Sequence, residues 1–366
     1  MKIFVPANLD ANYSDHFSTA KNDEIIFFGR MPKDNVGSVF DLFLKNRAPA
    51  GFKEVKNFSD HVRSRGKSFY YLMDAVCLNN IEFLRGPHFK LIEFLKKVHD
   101  CGCDGVIVSS LMLMQIIQKQ FPKLKVIISP AARIDSRQSA ETTFSQGADG
   151  IIYSFFLARD KNFLDMIHRE FSEKLNIIYL NSGCYLHSIF CVRHLAEMSH
   201  FSQNFISHKM QSTDIAGLTC VAEKIKKPEK HLSAGFLPPQ LFDGFKNEYP
   251  ELDYFISDSN ATFDSVKLVF DAYFRAAPVQ NVFSIVKNYF CLSNLRFNSI
   301  KLGPEAAAKI VDESIGLRSL CAYLDCDKCL KCLDFFKKHG SYDESEREKI
   351  LKEIKELEIN CAYQLG

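Results

Sequence analysis

The chain has 366 residues, 46% hydrophobic and 25% charged, a balance that excludes a disordered polymer and allows one large domain plus an appendage. Its formal charge of +2, from 46 basic and 44 acidic residues, does not mark a nucleic-acid binder, although a net count cannot see a local RNA groove. No apolar run is long enough to span a bilayer, and the Met1 segment is broken by Pro6 too soon for a signal peptide, so the cytoplasm is the expected location.

Strand-like and helix-like segments alternate along the first three-quarters of the chain. Residues 2–6 and 24–29 read as strands, as does 69–73, which ends at Asp74. A helix is expected over about 87–99, where Phe89, Leu91, Ile92, Leu95 and Val98 recur at helical spacing and Gly102 suits a left-handed cap. The alternation continues with strand 104–109, helix 111–120, strand 124–129 running into Pro130-Ala131-Ala132-Arg133, helix 136–146 closed by Gly147, strand 150–153, helix 162–171 and strand 175–180. It resumes with strand 232–236, helix 239–248, strand 254–257 and helix 262–275. The basic run from Lys224 to Lys230 reads as a solvated loop.

Repeated βα units build a parallel sheet, and their number favours an α/β protein of the TIM-like (β/α)8 barrel type over an open doubly wound sheet. No Gly-x-Gly-x-x-Gly follows the first strand, so a dinucleotide fingerprint is absent. Two parts are expected: the barrel over 1–275, and a cysteine-rich extension packed on it over 276–366, ending in a helix from 344 to 358 whose stripe is Ile350, Leu351, Ile354 and Leu357.

Twelve cysteines in a chain expected in the cytosol point to metal or redox work before disulfides. Cys77, Cys101, Cys103 and Cys291 sit among apolar neighbours and read as core. Cys184 and Cys191 differ. The strand before Asn181-Ser182-Gly183-Cys184 feeds a turn and then a helix start, placing Cys184 where α/β proteins keep their chemistry. Within one helix the two thiols would stand about 10 Å apart along the axis, too far for one zinc ion. With Cys184 in the turn the gap suits an iron–sulfur cubane, whose charge helix N–H groups would favour. The alternative is two buried core thiols. Cys220, reached through a long Ser-, His- and Gln-rich loop, is a third candidate, and one of His187, His194, His200 and His208 a fourth ligand or proton donor.

The tail carries Cys321-x4-Cys326-x2-Cys329-x2-Cys332. Spacings of two let successive thiolates converge on one centre, and core packing does not call for such density among Asp325, Asp327, Lys328 and Lys331. Zinc and a second iron–sulfur cluster both suit the spacing, and a tail cysteine is also able to supply a missing ligand to the Cys184 site.

These residues resemble the peptidase U32 family over roughly 1–275. The likeness rests on Asn181-Ser182-Gly183-Cys184 with Cys191, on Tyr70-Tyr71-Leu72-Met73-Asp74-Ala75 with Asn79, and on the stretch from Ile127 to Arg133. Ser199-His200-Phe201-Ser202-Gln203 and Phe236-Leu237-Pro238-Pro239 look like further parts of the pattern. The resemblance implies a TIM-like barrel with a [4Fe-4S] cluster, Cys184 and Cys191 matching two of its ligands well and Cys220 a third less securely. Members are named as peptidases, some collagenase-like; others serve oxygen-independent hydroxylation of the ubiquinone ring or of RNA bases. Two departures stand out: Val192 follows the second cysteine where the family often has proline, and Phe255-Ile256-Ser257-Asp258-Ser259 lacks the basic residue many relatives carry.

The expectation is therefore an iron–sulfur protein modifying an organic substrate (a small molecule, RNA or a peptide) at the barrel mouth, served by an electron donor or partner subunit. His200, Arg133 and Asp74 are the candidate catalytic groups, and a salt bridge fixing loops is the structural alternative for Asp74 and Arg133. A peptidase and a non-catalytic, metal-stabilised subunit are the other readings. No His-Glu-x-x-His or Gly-x-Ser-x-Gly supports proteolysis, and a cysteine that ligates a cluster is not free to attack a peptide.

Overall fold

A computed structural model describes residues 1–19, 23–31, 34, 36–37, 51–186, 188, 190–203, 215–257, 263–286, 300–313, 315, 321 and 326–364. Of the candidate residues, the side chains of Cys191, His200 and Cys326 lie outside that description, as do His187, His208 and Cys291 altogether.

Eight parallel strands close into a barrel in chain order: β1 (Lys2–Pro6), β2 (Glu24–Gly29), β3 (Ser68–Met73), β4 (Gly105–Val108), β5 (Lys125–Ile128), β6 (Gly150–Ile152), β7 (Leu175–Tyr179) and β8 (Asp253–Phe255), with β8 pairing back onto β1. The strands are apolar throughout because both faces are buried. Phe4, Ile26, Phe28, Tyr70, Ile107, Ile127, Ile152, Ile177, Tyr179 and Phe255 fill the interior. Their neighbours Ile3, Val5, Phe27, Phe69, Tyr71, Val106, Val126 and Ile151 face the helices. The fold class read from sequence is thus the one observed.

The crossover helices are α1 (Ala11–Asp15), α2 (Phe52–Ser64), α3 (Arg85–Asp100), α4 (Leu111–Gln120), α5 (Arg137–Ser145) and α6 (Lys161–Phe171). Helix α2 lies outside the alternation read above, although Val55, Phe58 and Val62 form a helical stripe and are all buried. In α3, Leu91, Leu95 and Val98 face the core, but Phe89 does not belong to that stripe and is 60% exposed. Gly102 has φ 75°, the expected left-handed cap.

Between β7 and β8 the chain makes a long excursion through α7 (Phe190–Gln203), α8 (Ile215–Lys226) and α9 (Phe242–Glu248); α10 (Phe263–Phe274) follows β8. The strand expected over 232–236 is not one. Pro228–Ser233 forms a 3-10 helix, and only Ala234 makes a β-bridge, to Tyr185. Leu232-Ser233-Ala234-Gly235-Phe236 is apolar because it is buried, not because it joins the barrel.

The tail adds a two-stranded antiparallel sheet, β9 (Ile300–Leu302) with β10 (Gly340–Tyr342), and the helices α11 (Pro304–Asp312), α12 (Cys326–Cys329), α13 (Lys331–His339) and α14 (Glu344–Gln364). It packs against the excursion. Leu218, Val221, Ile225, Leu232 and Phe236 share one apolar cluster with Phe283, Ile310, Phe335, Phe336, Ile350 and Ile354. Among the described residues no helix is long and apolar enough to cross a membrane.

At the opposite end of the barrel, buried Asp253 accepts a hydrogen bond from the Lys2 backbone N–H. Burial pushes its carboxyl up to about 6 from an ordinary 3.8, only partly offset by Lys2 and the N-terminus. The folded state therefore binds the proton more tightly than the unfolded chain, and stability falls as pH rises through this window. Asp253→Asn should be more stable than the parent at pH 7.5 by on the order of 2–3 kcal/mol in urea unfolding, with the difference vanishing near pH ~4. Equal stability at both pH values would contradict this.

Candidate metal centre

Strand β7 delivers Asn181-Ser182-Gly183-Cys184 to the carboxyl end of the barrel. Each residue of this motif has a defined task. Asn181 is fully buried; its Nδ2 donates to the Ser257 carbonyl at 2.8 Å and the Ile285 carbonyl at 3.0 Å, and its Oδ1 accepts from the Ser257 N–H at 3.0 Å. It thereby ties the ends of β7 and β8 to the start of the tail. Ser182 Oγ accepts from the Cys184 N–H at 3.3 Å, fixing the turn. Cys184 is buried and packs on the interior barrel cluster with Tyr179 and Phe155.

The helix expected to start at this turn begins only at Phe190, so Cys191 and not Cys184 lies at its N-terminus. Cys220, expected beyond a long loop, lies on α8. There Gly217, Cys220 and Lys224 share one helix face by spacing. Gly217 and Cys220 line a small, mostly apolar pocket together with Phe155, Gly183, Cys184, Phe190, His194 and Leu195. Two of the candidate thiols thus face the same space, and α7 supplies part of its wall. Ser188 Oγ lies 3.8 Å from the Cys220 sulfur, within hydrogen-bond reach.

Lys224 corrects the solvated-loop expectation. It is 1% exposed, and its Nζ donates to the Gly183 carbonyl at 3.2 Å, so an amino group sits one residue from Cys184. Neighbouring His231 is also buried; burial, reinforced by the Lys224 charge, holds its imidazole well below the ordinary value and keeps it neutral. Lys224 at i+4 from Cys220 was the available signal, but a lysine defaults to solvent unless its helix face is already known.

The segment after the 3-10 turn holds the cysteine turn from behind. Gly235 N–H donates to the Cys184 carbonyl at 3.0 Å, Leu186 N–H to Ser233 at 3.2 Å, and Leu237 N–H to Leu180 at 2.8 Å. On its other side Gly235 abuts backbone, where an added Cβ would fall 1.6 Å from the Phe155 carbonyl oxygen.

Asp74 follows β3 and Arg133 follows β5, both at the carboxyl end of the barrel, with Arg133 exposed and left-handed at φ 57°. Ser199 Oγ accepts from the Val76 N–H at 2.9 Å and donates to the Leu195 carbonyl at 2.7 Å, tying α7 to the loop that begins at Asp74. His200 is the next residue of that helix. The tail cysteines Cys321, Cys329 and Cys332 are half-buried and do not line the cavity. Among the described residues no three His, Cys, Asp or Glu side chains are grouped as a metal site. The donor chemistry at the cavity, Cys184 and Cys220 with the Cys191 helix alongside, still suits a thiolate-bound group.

Residues 38–204 match the model of peptidase family U32. The solved structure of the U32 peptidase Mk0906 is similar at 15% identity, the match covering 70% of this chain and 92% of that one, with a TM-score of 0.51. This likeness shows the fold. A glycerol uptake operon antiterminator-related protein from Thermotoga maritima covers 54% of this chain and 90% of its own at 13% identity, and its TM-score of 0.26 bears on nothing further. No curated protein matches the chain.

Gly235→Ala should destabilise the fold by at least the ~1–3 kcal/mol typical of overpacking, because backbone and not a flexible side chain must move. Gly244→Ala, on the exposed face of α9 with nothing within 4 Å, should be neutral or stabilising by up to ~1 kcal/mol. Chemical denaturation of both variants checks this, and a tolerated Gly235→Ala would contradict the packing described.

Proposed function

We propose that this U32-like chain is an iron–sulfur protein that modifies an organic substrate by hydroxylation-type redox chemistry at the carboxyl end of its barrel. The observation that carries the reading is that Cys184 and Cys220, 36 positions apart by the chain numbering, line one cavity above an apolar barrel core. Cys184, Cys191 and Cys220 would hold a [4Fe-4S] cluster, which when bound supplies one-electron transfer. Buried Lys224 places positive charge beside the thiolates, and the apolar floor of Phe155, Tyr179 and Phe255 keeps water from beneath them. Asp74 and Arg133 stand where strand ends meet solvent and would orient the substrate. His200 would carry a proton, with His194 as the histidine that lines the cavity.

A second reading has its own observation. Cys184 and His194 line the same cavity, and a thiol with a histidine base is the constellation of a cysteine nucleophile. That pairing fits the peptidase in the family's name, but it is incompatible with Cys184 as a cluster ligand.

Anaerobic purification with iron, sulfide and zinc analysis and an absorption spectrum separates the two. The parent chain should lose about four irons per chain and its broad visible absorption on Cys184→Ala/Cys191→Ala substitution. Iron unchanged by that variant, or a parent chain without iron, would overturn the proposal.

A further inference from the structure

Helix α8 carries two side chains that face the cysteine turn. Cys220 and Lys224 are four residues apart, about one helical turn, so they lie side by side on one face. Cys220 lines the pocket shared with Cys184, and the Lys224 Nζ donates to the Gly183 carbonyl at 3.2 Å. Lys224 is 1% exposed, whereas Lys226 and Lys227, two and three positions on, stand in solvent. Burying an ammonium is costly where a leucine would pack as well, so the use of this lysine lies in what its amino group reaches.

Three bonds hold the backbone around Cys184. Its N–H donates to Ser182 Oγ at 3.3 Å within the turn, its carbonyl accepts from the Gly235 N–H at 3.0 Å on the return strip, and the preceding carbonyl, that of Gly183, accepts from Lys224. Of these three, the Lys224 bond is the one that reaches α8, the helix of Cys220. At the C-terminus of that helix, Arg347 of α14 donates from Nε to the Ile225 carbonyl at 2.9 Å and from Nη2 to the Lys226 carbonyl at 3.2 Å. The tail thus holds α8 by its end, and Lys224, one residue before the first of those carbonyls, holds the cysteine turn to α8.

We propose that Lys224 is a positioning residue that fixes the thiol of Cys184 relative to that of Cys220. Its bond to Gly183 ties helix to turn at the residue before Cys184, where a small shift of the backbone moves the sulfur directly. The inference rests on the reading that Cys184 and Cys220 serve one centre, and it adds the residue that sets their separation.

The test uses the full chain. Reductive methylation of the folded parent, read by peptide mass spectrometry, should label Lys226 and Lys227 and spare Lys224; a labelled Lys224 would overturn the inference without any variant. In the metal-free chain, diamide should close a Cys184–Cys220 disulfide at least about tenfold more slowly in Lys224→Met, and at close to the parental rate in Lys224→Arg, which keeps a long arm with a donor. In the anaerobically purified chain, iron should pass to a chelator at least about tenfold faster from Lys224→Met, again with Lys224→Arg near the parent. Lys224→Gln, which shortens the arm and removes the charge, replaces Lys224→Met if that variant does not fold, with the same results expected. Parental rates in a folded Met or Gln variant, an Arg variant as slow as Met, or a parent that never forms the disulfide would overturn the inference. A parent without iron whose disulfide still depends on Lys224 would sink the iron–sulfur reading and support the positioning role.

Discussion

The contact on which the site depends is between two stretches of backbone. The chain leaves the barrel after β7, runs through α7 and α8, and returns so that residues 233–237 lie against the turn they left. Gly235 makes the return possible, since any side chain there would strike the Phe155 carbonyl. With that strip in place Cys184 is pinned on the barrel core, α8 is held with Cys220 towards the cavity, and the tail has an apolar surface to cover.

The same strip organises charge. The barrel interior is lined largely by Phe, Ile and Tyr. Two of the buried cations reach backbone carbonyls at or beside the cysteine turn: Lys224 that of Gly183, and Arg159 those of Leu232 and Ala234. Desolvating an ammonium and a guanidinium costs several kcal/mol each unless hydrogen bonds and negative charge compensate. Carbonyl dipoles supply part of that compensation.

The barrel was legible because its strands are buried on both faces and read as unbroken apolar runs; the ends of β1 and β2 were read to the residue. Cys184 was legible as the end of one such run. The failures share a cause. Leu232 to Phe236 looks like a strand because it is equally apolar, but a single bridge to Tyr185 is its only ladder contact among the described residues. Helix α8 was missed as the carrier of Cys220: Gly217 and Thr219 weaken its helical signal, and its stripe faces the tail and the cysteine turn instead of the barrel wall. Lys224 and Arg159 were invisible because burial of a charge is decided by tertiary partners, and those partners are carbonyls of distant residues. Asp74 and Arg133 were placed correctly at strand ends by the alternation alone, while their roles stay with the proposal.

The central claim is that Cys184 and Cys220, brought together by the return of the chain, ligate one iron-containing centre. Anomalous diffraction at the iron edge from anaerobically grown crystals addresses it directly. The account predicts a strong anomalous peak in the cavity lined by Cys184, Cys220 and His194. An ordered cavity without such a peak, with Cys184 and His194 instead in hydrogen-bond contact, would contradict it and favour a thiol nucleophile.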